Sequence, residues 1–245
     1  MNKIRIFTSN QLKILACITM LIDHIGAILL PNLLILRIIG RLSFPIFAFM
    51  IAEGAKYTRN KLRYLLTILI TGIIFQIILI VFIKDYHFNI LLTFSISIIV
   101  IYSMDLFKKC LFDKNQKIIF KALSFLLFVV VAILPYFLPK IFDWFHYSYG
   151  FYGCMCAVFA SAPTLDKTEA PAWLKKLDNI YVRIACMAIP LFLYSRNNII
   201  QLYSFISLFI LLLYSEKRGK AKLKYFFYIF YPAHLLILYA ISFMI

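Results

Sequence analysis

Chemistry first shows in this sequence where polar side chains interrupt apolar runs. Asp23 and His24 break LKILACITMLIDHIGAILLP (12–31), Arg37 and Arg41 stand four apart in the run that follows, and Glu53 closes that run. Gln76 sits in a third run, and His234 lies within KYFFYIFYPAHLLIL (224–238). Placing an ionisable group inside a membrane span costs at least a few kcal/mol, so such residues are functional candidates by default. Histidine is the side chain best suited to move protons near neutral pH. A carboxylate facing a guanidinium offsets part of the desolvation of both, and it either arranges charge for a reaction or merely locks two helices together.

The elements that must position these residues follow from composition. The chain has 245 residues, of which 64% are hydrophobic and only 15% charged, where a soluble domain carries about 25% charged. Its mean hydropathy is +0.91. A soluble protein of this size has too little interior to hide that much Phe, Tyr, Ile and Leu. A soluble enzyme, a nucleic-acid module and a disordered tail are excluded, and the chain reads as an integral membrane protein in the lipid bilayer with no nucleic-acid partner. Asp23-His24 breaks the first run and no small-residue cleavage site follows, so that run is read as a retained span rather than a signal peptide. The five cysteines lie in or beside apolar stretches and imply neither a disulfide framework nor a metal site.

A span needs about 20 apolar residues. Charge clusters and turn signals cut the chain into nine candidates, roughly 12–30, 33–53, 63–83, 89–106, 118–138, 147–163, 180–194, 198–214 and 224–244. The sixth and seventh are short and limited by Pro163 and Pro190. Of the 26 Lys and Arg, only Lys84, Lys140 and Arg196 fall in alternate loops, Arg37 and Arg41 fall inside a span, and all others fall in the complementary set. Cytoplasmic loops concentrate Lys and Arg. The expectation is therefore an all-α, polytopic helical bundle of about nine spans, a single domain over 1–245, with the N-terminus cytoplasmic and the C-terminus outside.

At about 1.5 Å per residue, His24 lies roughly 18 Å and His234 roughly 15 Å from the cytoplasmic side, with Arg41 near 18 Å and Gln76 at about 20 Å. Four helices thus bring polar groups to a similar level. The first two spans are joined only by Pro31-Asn32, so Asp23 and Arg41 face each other across a tight hairpin, with Arg37 one turn from Arg41. Asp23 and His24 are adjacent and diverge by about 100°, so Asp23 is not expected to orient His24. Pro232 should bend the last span and free a backbone carbonyl near His234, and Pro45 acts similarly beneath Arg41.

Three stretches resemble the TraX family, membrane proteins associated with conjugative pilin acetylation. They are 12–31, LRIIGRLSFPIFAFMIAEGAKYTRNKLRYL (36–65) and 224–238, with NILLTFS (89–95) as a weaker fourth. Together they cover about a third of the chain, in order and from end to end. The region 105–215 is similar only in hydropathy and in Tyr-Gly-rich spacing near Tyr149-Gly150. The resemblance implies a membrane-embedded acyltransferase of the bacterial cytoplasmic membrane. Its co-substrate would be cytosolic acetyl-CoA, with no tightly bound cofactor. The acceptor at the outer face would be a protein or glycan: an amine, such as a pilin N-terminus, or a hydroxyl.

On that resemblance, His24 is the general base or a transient acyl carrier, Asp23 and Arg41 fix its surroundings, and His234 is a second proton-transfer or acyl-positioning group. Lys56, Arg59, Lys61 and Arg63 form the natural phosphate site for coenzyme A, although a positive-inside anchor explains the same run. Arg37, Glu53 and Gln76 join the substrate region, with Lys56 placed to neutralise Glu53. Asn89 and Thr93 share a face and either contact the acceptor or cap a helix and bond between helices. Asp143 suits an acceptor ammonium, and Tyr149 and Tyr231 offer apolar flanks or ordinary interface packing. Two other readings stay open. Buried His, Asp, Arg and Glu also fit a proton-coupled transporter, although no internal repeat is visible, and a non-enzymatic membrane assembly factor would use the ion pairs as locks.

Overall fold

The computed structural model describes residues 5–142, 144–165, 168–196, 198–220 and 223–244. In chain order the helices are α1 (Ser9–Ile28), α2 (Leu34–Gly40), α3 (Ser43–Tyr57), α4 (Lys61–Ile83), α5 (Ile90–Phe112), α6 (Ile118–Ile141), α7 (Gly150–Ser161), α8 (Ala172–Lys175) and α9 (Ile180–Ser195). A 3-10 turn (Ile199–Phe205), α10 (Ile206–Leu212) and α11 (Lys224–Ser242) complete the chain. Among the described residues the fold is all-helical, with only isolated bridges at Phe7–Tyr214 and Phe88–Tyr147. Five segments are long and apolar enough to cross a membrane: Ser9–Ile28, Leu34–Tyr57, Lys61–Ile83, Ile90–Phe112 and Ile118–Ile141. Gly150–Ser161, Ile180–Ser195, Ile199–Leu212 and Ile229–Ser242 are shorter apolar helices.

The chain divides into two compact units, residues Met1–Met50 with Leu191–Ile245, and Ile51–Pro190. In the first unit, Thr8 caps α1 by accepting from the Gln11 N–H while the Gln11 side chain returns to the Thr8 N–H. Two more amides at this end are bound by the chain's other half: Ser9 N–H donates to Lys217 O at 2.8 Å and Asn10 N–H to Arg218 O at 3.2 Å. Leu12, Ala16, Met20 and Asp23 lie on one buried stripe of α1 at helical spacing, so the periodicity that buries the apolar residues carries Asp23 inward as well. This helix packs against α2 and α11. At the α1–α2 crossing a Cβ on Gly26 would stand 2.7 Å from Leu36 Cβ, and one on Gly40 only 2.2 Å from Asp23 Cβ and Oδ1. Both glycines therefore set how closely the two helices approach.

The second predicted span is broken between α2 and α3, at Arg41 and Leu42. Pro45 has no N–H to donate to the carbonyl four residues back, which belongs to Arg41, and the break falls there.

In the second unit, α5 packs against α4, α6 and α7. Asn89 caps α5 and ties it to α4, donating to Gly72 O at 2.8 Å. Ser97 Oγ lies 3.0 Å from the Cys154 carbonyl, fixing α5 to α7. Most of α6 is exposed and apolar, which suits a lipid-facing helix.

Candidate functional site

The site is built in the unit formed by the two chain ends. Asp23 Oδ1 lies 2.5 Å from Arg41 Nη2, and Oδ2 lies 2.9 Å from Arg37 Nη1. Arg37 Nη1 also donates to the Asp23 carbonyl at 3.0 Å, and Arg41 Nε donates to the Arg37 carbonyl at 3.1 Å. Asp23 and Arg41 are buried, whereas the Arg37 side chain is 31% exposed and reaches toward the outside of the unit. The hairpin brings the expected pair together. It also sets both guanidiniums on one carboxylate, leaving the trio with an excess positive charge.

His24 faces a different neighbour. Its Nδ1 lies 2.9 Å from Nε2 of His234, and the ring centroids are 5.0 Å apart. His234 Nδ1 lies 2.8 Å from the Phe230 carbonyl. A carbonyl only accepts, so His234 Nδ1 carries the proton and its Nε2 is an acceptor. His24 Nδ1 must then be the donor, which leaves the lone pair of a neutral His24 on Nε2. The Phe230 ring stacks on His234 at 4.9 Å and 15°, and Tyr231 lies 5.8 Å away on another side. These contacts and the carbonyl bond hold His234 in one orientation. The carbonyl it uses is that of Phe230, not that of residue 228, which Pro232 leaves without its helical donor. Arg37 and Arg41 are close enough to act electrostatically on His24.

The remaining candidates divide by location. In the second unit, Gln76 donates to the Asp85 carbonyl at 3.1 Å, and its oxygen accepts from the Asn89 amide N–H at 2.8 Å. Asn89 thus acts as cap and interhelical tie, and Thr93 donates to the Ser148 carbonyl at 3.0 Å. The expected neutralisation of Glu53 by Lys56 is corrected: Glu53 pairs with the fully buried Arg183, and Lys56 lies 3.0 Å from Asp178. Lys56 is one turn past Glu53 on α3, and Asp178 claims its ammonium. Lys61 pairs with Asp105 at 2.6 Å, while Arg59 and Arg63 are exposed. The expected four-residue phosphate run is therefore split between two paired lysines and two solvent-facing arginines. Tyr149 caps α7 with a left-handed backbone at φ 63°, and Asp143 lies outside the described residues.

Sequence reasoning missed Arg183, Asp105, Asp178 and Lys108, counting the cations only as orientation signals. Arg183 and Asp105 fall inside predicted spans, the signal that had singled out Asp23, whereas Lys108 lies two residues past the predicted end of the fourth span and inside α5.

Comparison with known proteins places these observations. Residues 8–242 match the family model described as TraX protein. The chain is 44% identical over 75 residues to an uncharacterized protein of Rickettsia prowazekii (strain Madrid E), a stretch covering 31% of this chain and 28% of that protein. It is 36% identical over 74 residues to a probable fimbrial assembly protein FimC, serogroup H1, of Dichelobacter nodosus, covering 29% of this chain and 30% of that one. The matched stretch is thus less than a third of either relative. No solved structure matches.

Proposed function

The chain belongs to the TraX family, and from that premise we propose that it is an integral membrane acyltransferase. It takes acetyl from cytosolic acetyl-CoA and delivers it to an amine or hydroxyl at the outer face of the bacterial inner membrane. In this reading the chain crosses the bilayer nine times, with its N-terminus in the cytoplasm and its C-terminus outside. The observation that carries the reading is the His24–His234 pair, whose hydrogen bonds leave the unprotonated lone pair of His24 on Nε2.

Acyl transfer from a thioester needs a base for the acceptor and positive charge for the oxyanion. His24 Nε2 removes a proton from the acceptor amine or hydroxyl as its nitrogen or oxygen attacks the acetyl carbonyl. The tetrahedral oxyanion develops beside the excess guanidinium charge of Arg37 and Arg41. Collapse breaks the carbon–sulfur bond, and the departing thiolate recovers the proton from the imidazolium. His234 accepts from His24 Nδ1–H throughout, so the ring keeps one orientation. The D. nodosus relative, named as a probable fimbrial assembly protein, supports a pilin subunit as the acceptor.

The test uses wild-type and His24→Ala protein in sealed liposomes of known orientation. Labelled acetyl-CoA is supplied on the cytoplasmic side and cell-envelope extract on the other. Label should reach an acceptor with wild type, and the rate should fall by about 10²–10⁴ in His24→Ala, the usual contribution of a general base. His234→Gln keeps an acceptor oxygen near His24 Nδ1 and should retain part of the rate. If wild type transfers no label but moves protons, the His24–His234 pair belongs to a proton relay and the transporter reading replaces this one.

A further inference from the structure

The second unit contains a small cleft, of about 40 Å³, whose described lining carries three lysines and one aspartate. It opens beside the C-terminal end of α5 and the end of α7, and it is lined by Lys56, Asp105, Lys108, Lys109, Thr164 and Thr168 among others. Three carboxylates of this unit hold cations among the described residues: Glu53 holds Arg183, Asp178 holds Lys56, and Asp105 holds Lys61. Lys108 and Lys109 are left over among the described residues.

Lys108 is the unusual member. It is only 8% exposed, and its ammonium donates to the carbonyls of Ser161 at 3.1 Å and Thr164 at 3.3 Å. Those two bonds use two of its three N–H groups, and neither partner carries a full negative charge. Lysine is almost never fully buried unless paired; Asp105 and Asp178 act on Lys108 electrostatically, but each forms its ion pair with another lysine. Lys109, on the rim, is exposed, and its ammonium has no hydrogen bond or ion pair within the described residues. A buried ammonium with a donor to spare and a second cation at the mouth are the parts of an anion site.

We propose that this cleft binds a phosphate group, with Lys108 Nζ as its inner ligand and Lys109 at its mouth. The Lys/Arg asymmetry places the Lys108 end of α5 on the cytoplasmic side. The phosphate therefore comes either from a cytosolic nucleotide-type ligand or from an anionic lipid headgroup of the inner leaflet. The preferred source, the 3′-phosphate or pyrophosphate of coenzyme A, rests on the acyltransferase reading. The site itself does not. It shifts the anion-binding role from the Lys56–Arg63 run to α5, because Lys56 and Lys61 are held by carboxylates and Lys108 is not.

The experiment titrates the full chain, in nanodiscs of phosphatidylcholine alone, with adenosine 3′,5′-bisphosphate. A parallel arm measures retention of phosphatidic acid by native mass spectrometry. Lys108→Met should weaken the bisphosphate by about tenfold or more, the loss of one charge-assisted hydrogen bond, and Lys108→Arg should restore part of it. Should Lys108→Met fail to fold, Lys109→Gln removes an exposed charge and should still weaken binding by about threefold. Phosphatidic acid retained in a Lys108-dependent way without bisphosphate binding would keep the site and assign it to lipid. If Lys108 only caps α7, Lys108→Met lowers the thermal midpoint and leaves both affinities unchanged, which overturns the proposal. The acyltransferase reading is judged separately. Acetyl transfer with an unaltered KM for acetyl-CoA in Lys108→Met sinks the coenzyme assignment alone, and Lys108-dependent phosphate binding without acetyl transfer sinks that reading alone.

Discussion

Asp23 and His24 are neighbours in sequence, yet they serve opposite sides of α1. Asp23 turns to the two guanidiniums of the second span, and His24 turns to His234 on α11. The 100° between consecutive helical side chains made that divergence legible from sequence, as the two-residue Pro31-Asn32 link made the Asp23–Arg41 pair legible. The tautomer chain was not. It depends on the Phe230 carbonyl, which every residue type supplies and which no side-chain pattern reveals. Removing one partner of a buried pair is far more damaging than replacing the pair, because a charge is left without its counterion. Asp23→Asn should therefore destabilise the protein by about 3–5 kcal/mol, seen as a lower thermal midpoint in detergent. Asp23→Leu combined with Arg41→Leu should lose less stability than Asp23→Asn, and acylation by that double variant would show that the Asp23–Arg41 pair is not needed for the reaction.

At the scale of elements, the α1–α2 crossing is as tight as it is because Gly26 and Gly40 carry no side chain where the helices meet. Asp23 occupies the space that a Cβ on Gly40 would need. Gly40→Ala must push α2 away from α1 or turn the Asp23 carboxylate off the guanidiniums. Overpacking of this kind costs about 1–3 kcal/mol, and Gly40→Ala should lose both thermal stability and acetyl transfer. Gly72→Ala is the control. Its nearest neighbours, Leu91 Cβ and Leu92 Cδ2 at 3.1 Å, are side-chain atoms rather than a charged group. Equal behaviour of the two variants would show that the crossing does not position Asp23. The break at Arg41–Leu42 was partly legible, since Pro45 marks the carbonyl that loses its donor. The partners of Glu53 and Lys56 were not, because Arg183 and Asp178 lie more than a hundred residues away and nothing local links them.

At the scale of the whole chain, the stretches that carry the family resemblance fall mostly in the unit made from the two ends, apart from residues 51–65 and the weaker 89–95. Residues 105–190, where no family motif was read from the sequence although the family model extends through them, fall in the other unit, which holds the Lys108 cleft. Pairing of the chain's two ends could not be read from sequence. It arises from the α1–α11 contact and from the bonds that carry Ser9 and Asn10 to Lys217 and Arg218, all of them long in sequence separation. The expected orientation rests on the rejection of Lys and Arg from translocated loops, whatever the helices do within the bilayer. That reasoning extends to the four short apolar helices, of 12 to 16 residues for the simple ones. Omitting any one of the first three as a span would invert every later loop and move the Lys217–Lys220 cluster outside. Single cysteines, introduced on a background whose native cysteines are replaced, decide the matter. Lys84→Cys, Lys140→Cys and Arg196→Cys should react with a membrane-impermeant maleimide in intact cells, and Lys114→Cys, Lys175→Cys and Lys217→Cys only after permeabilisation. Labelling of Lys217→Cys in intact cells, with Lys114→Cys still protected, would remove one span between them and place the end of the chain that bears His234 in the opposite direction across the membrane.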